Sequence, residues 1–356
     1  MNRSAALVFG LLTASSGCAS GHESTSDATV AAAPKEKERT APTKSGGKSR
    51  HVAFRYEATV KAAPADAKEV DLWLPVAQDS DFQKVKVAAV SAPANHEIQV
   101  EPTQGNKIFH VRVPASALPL TVAIEYDVER SERRTDFSAG LNDAALSASK
   151  RAADLAPTPL VPVGATVGSL SGFKSSGGDA LKVARQAYDH VMAKMKYDKP
   201  ANSGWGKGST EWACKEGFGN CTDFHAYFMS LARTENIPCR FTMGVSLPPK
   251  AEPPVAMMTD VPGYHCWAEF FVDGRGWVPV DISEASKAVA KSPEMADYYF
   301  GGLNADRVEF SLGRDVPLVP KQAGAPLNFF IYPYCEIDGK EAAKDAVARK
   351  FSFKDL

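Results

Sequence analysis

Between residues 51 and 135 apolar and polar positions alternate in short runs. FRYEATVKA (54–62), EVDLWLPVA (69–77), QKVKVAAV (83–90), HEIQV (96–100), KIFHVRV (107–113) and LTVAIEYDVER (120–130) each repeat with period two, the pattern of half-buried strands. Pro, Gly, Asn and Asp interrupt them at the intervals of a sandwich, so residues 51–135 are predicted to form an antiparallel β-sandwich. No His, Cys or paired carboxylates gather there at a reactive spacing, which suits a structural or substrate-positioning module. Residues 136–178 read as a linker, with a short helix over 142–155 and then Pro- and Gly-rich chain. No internal repeat is visible.

At residue 179 the period becomes helical. DALKVARQAYDHVMAKMKYD sets Leu181, Ala184, Ala187, Tyr188, Val191 and Met195 on one stripe. A glycine-rich loop, ANSGWGKGS, follows. Phe224, Tyr227, Phe228 and Leu231 then keep spacings of three and four, predicting a helix of about four turns that starts at Cys221. YHCWAEFFV (264–272) alternates as a strand, Asp273-Gly274-Arg275-Gly276 is a turn, and WVPVD (277–281) returns. The fold class is therefore α+β, with a second domain over 179–335. Residues 336–356 are rich in Lys, Asp and Ala, end in a strand-like FSFKD, and are set apart as a C-terminal tail.

Composition narrows the classes. The chain has 356 residues, 44% apolar and 23% charged, with 41 Lys+Arg against 42 Asp+Glu. That is globular usage at a length suited to two domains, and it leaves no electrostatic footprint for nucleic acid. Past residue 17 no apolar run approaches the ~20 residues needed to cross a bilayer. The first 17 residues read as an export signal, with Arg3 as the positive end and Ala5–Ala14 as a short apolar stretch. Ser15-Ser16-Gly17-Cys18 resembles a bacterial lipobox, with Ser where Leu is usual, which makes Cys18 the expected lipidation site. Cleavage after Ala19 is the alternative. Residues 18–50 lack aromatic residues and, among Val, Ile and Leu, hold only Val30. They are expected to be a disordered tether reaching roughly 30 Å. An exported protein results, a periplasmic or outer-membrane lipoprotein held to a membrane by its anchor.

Candidate chemistry begins at Cys221. Asn220 is a favourable N-cap, and Asp223 stands where a carboxylate can reach back to it. A first-turn thiol meets free N–H groups and the positive end of the helix dipole, which lower its pKa from ~8.5 and favour the nucleophilic thiolate. His265 and Asp281 flank the 273–276 turn, with residue 273 midway between them, so antiparallel pairing places them opposite one another to within a residue or two. An imidazole beside a carboxylate is held in one tautomer and stabilised when protonated. Any one of the three residues alone has an ordinary structural explanation; jointly they form a reactive constellation. His225, one turn into the helix, reads as structural or as a supporting partner of the site. Cys214, Cys239, Cys266 and Cys335 could form two disulfides in three connectivities, and a Cys214–Cys221 bridge is a further arrangement. Cys266 follows His265 on the strand and is expected to point away from it, as a structural residue. With no C-x-x-C or H-x-x-x-H pair, neither metal nor cofactor is expected.

GNCTDFHAYFMSLARTENIPCRFTMGVSLP (219–248) and GYHCWAEFFVDGRGWVPVDISEA (263–285) resemble the transglutaminase-like superfamily of thiol acyl-transfer enzymes, which share a papain-like core. The first resembles that family's nucleophile helix and the strand after it. The second resembles its His and Asp strands. The resemblance implies a nucleophile helix packed on an antiparallel sheet and a Cys221–His265–Asp281 triad. It implies a protein or peptide substrate, attacked at a peptide or glutamine-type carboxamide through a thioester that water or an amine resolves. YYFGGLNADRVEFSLGRD and PLNFFIYPYCEIDGK resemble the exported bacterial branch of the family. The Cys221 N–H is one expected oxyanion donor, and Trp205 or Trp212 is a candidate wall or second donor. The alternative is a non-catalytic or latent envelope-binding module on the same fold.

Overall fold

Every alternating run before residue 131 forms a strand: β1 Ser49–Val60, β2 Glu69–Val76, β3 Gln83–Ser91, β4 Glu97–Val100, β5 Lys107–Pro114 and β6 Leu120–Ser131. They are seen in a computed structural model that describes residues 38–44, 47–250 and 258–356. The expected export segment and Cys18 lie outside the described residues. On β1 every second residue from Arg50 to Val60 is buried. Phe54, Tyr56 and Ala58 of that face share one core with Leu72 and Leu74 of β2 and with Phe109 and Val111 of β5.

The helices are α1 Ala148–Leu155, α2 Ala165–Ser171, α3 Ala180–Lys194, α4 Thr210–Glu216, α5 Cys221–Thr234, α6 Ile282–Ala288 and α7 Met295–Tyr298. The later strands are β7 Cys239–Ser246, β8 Thr259–Val261, β9 His265–Val272, β10 Gly276–Val280, β11 Arg307–Leu312, β12 Tyr334–Ile337, β13 Lys340–Glu341 and β14 Val347–Asp355. Two five-stranded sheets run β8-β14-β1-β6-β3 and β13-β12-β2-β5-β4, and a four-stranded sheet runs β10-β9-β7-β11.

The expected C-terminal tail is instead a strand of the sandwich. β14 pairs with β1 from Val52↔Asp355 to Val60↔Val347, covering an edge that would otherwise expose a row of unpaired backbone groups. Its polar composition hid the strand, because Phe351 and Phe353 alone carry the buried large apolar surface. The sandwich is thus completed by strands from beyond residue 258 and is not confined to residues 51–135. The expected tether also ends sooner. Trp277 N–H donates to Arg39 O at 2.8 Å and Ala41 N–H to Trp277 O at 2.9 Å, so residues 39–41 lie along the outer edge of β10. Gly276, at φ +108°, permits this, since a Cβ there would sit 2.3 Å from Arg39 O. Glu38 accepts from Arg240 Nη1 at 2.8 Å and Trp277 Nε1 at 2.7 Å.

The described residues from 38 onward belong to one compact unit. Phe310 of β11 joins its parts, with ring centroids 5.7 Å from Phe54, 5.8 Å from Tyr56 and 5.8 Å from Tyr126. α5 runs across β9 and β7, and every residue from Cys221 to Arg233 is buried. The β7–β11 register shifts at Met243/Gly244, where a Cβ on Gly244 would stand 2.1 Å from Val308 O. Gly244→Ala is therefore expected to destabilise the fold by about 2–3 kcal/mol, read as a lower urea midpoint. An unchanged midpoint would mean that these strands separate at little cost.

Candidate active site

The head of α5 is built by two side chains. Asn220 Oδ1 accepts from Thr222 N–H at 3.0 Å and Thr222 Oγ1–H at 2.6 Å, while its Nδ2 donates to Tyr264 Oη at 2.7 Å. The Asp223 carboxylate accepts from Asn220 N–H at 3.1 Å, completing the expected capping box. It also accepts from Gly206 N–H at 2.7 Å and Gly208 N–H at 2.8 Å. Burial raises its pKa although these backbone donors oppose the rise, and the glycine-rich loop is tied to the helix.

β9 and β10 pair from Ala268↔Val280 to Val272↔Gly276. The turn is centred on residue 274 rather than 273, so Asp281 stands beside Trp267, two positions along from His265 and on its face of the sheet. His265 Nε2 lies 2.7 Å from Asp281 Oδ2. Arg307 Nη1 donates to the same oxygen at 3.2 Å. Oδ1 accepts from Ser283 Oγ–H and from Glu284 N–H, each at 3.1 Å, because Asp281 is also the N-cap of α6. Four donors therefore fix this carboxylate.

The electrostatics follow from burial and partners. Burial opposes ionisation of Asp281, yet His265 and Arg307 hold it well below the usual carboxylate range. Burial likewise opposes charge on His265, but Asp281 outweighs it and raises the ring's pKa to about 10. For Cys221 burial works against the thiolate; hydrogen-bonding contact with the Cys266 thiol, the His265 ring and the Cys266 N–H brings its pKa down to about 6. The site is nearly closed, with Cys221 2% and His265 4% exposed. Tyr264 packs against Phe329 and Tyr332 at 5.6 and 5.4 Å. Asn328 Nδ2 donates to Lys207 O at 2.9 Å and Arg314 Nη2 to Gly208 O at 2.7 Å, so chain after β11 holds the loop beside the thiol.

Cys266 does not point away from the other two. α5 crosses β9, and Cys266 faces it at the level of His225, one turn after Cys221, while His265 reaches the same sulfur from the strand's first position. Alternation along a strand gives the direction of a side chain but not what lies over it. Ile282 N–H donates to His225 Nε2 at 3.2 Å, so the proton is on Nδ1, which donates to Cys266 Sγ at 3.5 Å. Burial keeps His225 neutral by lowering its pKa to about 4. The Cys266 S–H is left to donate to Cys221, and a hydrogen bond to a charged acceptor is worth about 1.5–3 kcal/mol. Cys266→Ala is expected to slow alkylation of Cys221 at pH 6 about tenfold, with Cys266→Ser restoring most of it. An unchanged rate in the alanine variant would make Cys266 a packing residue.

Cys214, Cys221, Cys239, Cys266 and Cys335 are all free thiols, so neither the two disulfides nor a Cys214–Cys221 bridge is formed among the described residues. Burial pushes Cys239 and Cys335 up to about 12. Trp205 is half exposed under Lys199, 5.6 Å from the ring, and Trp212 packs edge-on against Phe218 at 5.3 Å. Sequence reasoning missed Arg307, which opens an alternating strand, RVEFSL, as an ordinary polar position would.

A free thiol at the head of a buried helix, facing a histidine–aspartate pair on the neighbouring hairpin, defines the papain-like class of thiol folds. Residues 171–282 match the core of the transglutaminase-like superfamily. An uncharacterized protein of Haemophilus influenzae is 34% identical over 203 residues, which is 48% of this chain and 54% of that protein; the chain spans about half the length of this curated relative. A candidate cysteine protease of Cytophaga hutchinsonii shares the fold at TM-score 0.50 and 16% identity, over 87% of this chain and 98% of that one. The periplasmic domain of TgpA from Pseudomonas aeruginosa, bound to ethylmercury, aligns at TM-score 0.31 and 14% identity over 69% of this chain and 93% of its own, a likeness too slight to carry weight.

Proposed function

We propose that this chain is an exported cysteine-dependent acyl-transfer enzyme in which Cys221 is the nucleophile, His265 the acid–base and Asp281 its orienting partner. The observation that carries this reading is the free Cys221 thiol at the head of α5, in contact with a His265 ring that lies 2.7 Å from Asp281. Cys221 passes its proton to His265. The sulfur adds to the carbonyl of a peptide or glutamine-type carboxamide, and the first-turn N–H of Cys221, which the helix leaves unpaired, faces the developing oxyanion. Collapse breaks the C–N bond as His265 returns the proton to the departing amine, leaving a thioester on Cys221. Water or a second amine then resolves it. Export and a lipid anchor at Cys18 complete the proposal.

The burial of Cys221 favours a second reading, a latent enzyme or binding module whose 201–208 loop must shift before substrate reaches the sulfur. Intact-mass analysis after rapid mixing with glutamine-containing peptides tests both. An adduct on wild-type protein, absent from Cys221→Ala and discharged by added alkylamine or by water, is expected. No adduct with any peptide, together with a Cys221 that alkylates only when the protein is unfolded, would favour the latent form.

A further inference from the structure

Arg307 is fully buried, as is Asp281, its ion-pair partner among the described residues. Its guanidinium is fixed from three sides. Nη1 donates to Asp281 Oδ2 at 3.2 Å, Nε to Asn304 O at 3.1 Å, and Nη2 to Asn304 Oδ1 at 3.0 Å. The Trp267 ring lies 4.9 Å from Arg307 Cζ. A buried charge is tolerated only when compensated. Thiolate at Cys221, imidazolium at His265 and carboxylate at Asp281 together carry one uncompensated negative charge in a space nearly closed to water.

The other groups facing this cluster do not supply the missing cation. His225 from α5 accepts a hydrogen bond on Nε2 and is neutral. Glu284 from α6 is a further anion, 3.8 Å from His265 Nε2, and is paired with Lys287. Tyr188 from α3, Tyr299 after α7, Tyr197 and Tyr264 are hydroxyls that burial keeps protonated. Arg314 faces Cys266 from beyond β11, but Asp223 and Asp315 offset its charge.

We propose that Arg307 is a positioning residue of the reactive site: it holds Asp281 against His265 and supplies the buried positive charge that lets Cys221 and His265 persist as thiolate and imidazolium. The inference rests on the roles proposed above for those three residues. Forming the ion pair and later discharging the imidazolium each remove one proton from the site. A nearby cation favours both losses, so removing it moves both steps in the alkaline direction.

The test is the pH dependence of Cys221 alkylation in wild type, Arg307→Met and Arg307→Lys, with folding checked by circular dichroism. In R307M both steps are expected about one pH unit higher, slowing alkylation at pH 6 about fivefold while the rate at high pH is kept. R307K is expected to keep the wild-type positions. Steps at the wild-type pH in R307M, or an equal loss at every pH in R307M and R307K, would overturn the proposal and leave Arg307 a packing residue. Should R307M fail to fold, R307M/D281N is compared with D281N: the alkylation profile of the double variant is expected at higher pH than that of D281N, and coincident profiles overturn the inference. Failure of the underlying reading looks different, since wild type itself would then lack an acid-side step that His265→Ala abolishes.

Discussion

Asp281→Asn is expected to lower acyl transfer by about 10³–10⁴-fold, the scale on which the orienting carboxylate of a triad acts. The asparagine amide offers one acceptor oxygen in place of two, so it cannot serve His265 Nε2 and Arg307 Nη1 on one side together with Ser283 Oγ–H and Glu284 N–H on the other. Without the carboxylate, Cys221 alone opposes burial at His265, and the ring's pKa falls from about 10. The thiolate loses its counter-ion in turn. Arg307 becomes a buried cation without a partner, a change that costs about 3–5 kcal/mol. The pH dependence of that loss is set by the two groups. Asp281 is depressed when folded, so its contribution is present above ~4 and lost as pH falls through its native value. His265 is raised, so its contribution is complete below ~6.5 and lost as pH rises through about 10. Urea denaturation is therefore expected to separate D281N from wild type most widely near pH 5–6. An activity loss below about tenfold would remove Asp281 from the mechanism.

Deleting residues 347–356 is expected to prevent folding altogether. β14 lies between β8 and β1, and its loss uncovers the edge of β1 along Val52–Val60. Phe351 and Phe353 leave the core, and each is worth about 3–5 kcal/mol by the measure of Phe→Ala substitutions. Arg50, 4% exposed, loses its two-pronged partner Asp355 at 2.8 and 3.1 Å. The sum reaches the whole ~5–15 kcal/mol stability of an ordinary domain. The truncated chain should be insoluble or show no cooperative thermal transition by circular dichroism. A transition at the wild-type temperature would mean that β14 is only appended to the sandwich.

β1 was legible because one of its faces is buried and the other is not, and the helix from Cys221 because its large apolar residues keep helical spacing even though it is buried all round. Val52 to Val60 on β1 and Phe224 to Leu231 on α5 repeat with the period of the element that buries them. The Cys221, His265 and Asp281 positions were legible through local signals, an N-cap asparagine and a glycine turn. β14 was less legible because the strand itself is largely polar and its pairing partner lies about 300 residues away in the sequence. Arg307 and Cys266 owe their importance to contacts between elements, Arg307 reaching Asp281 from β11 and Cys266 lying between His225 and Cys221. No periodicity encodes such contacts. The path of residues 39–41 along β10 likewise depends on Gly276 in another part of the chain.

The most direct measurement is the rate of Cys221 alkylation by iodoacetamide across pH, read by peptide mass in wild type and His265→Ala. With the Cys221 thiol at about 6 and His265 at about 10, wild type is expected to react rapidly at pH 6 and the variant to lose that reactivity, regaining it only at alkaline pH. Superimposable profiles rising only above pH ~8 would show an ordinary thiol and contradict a Cys221–His265 ion pair.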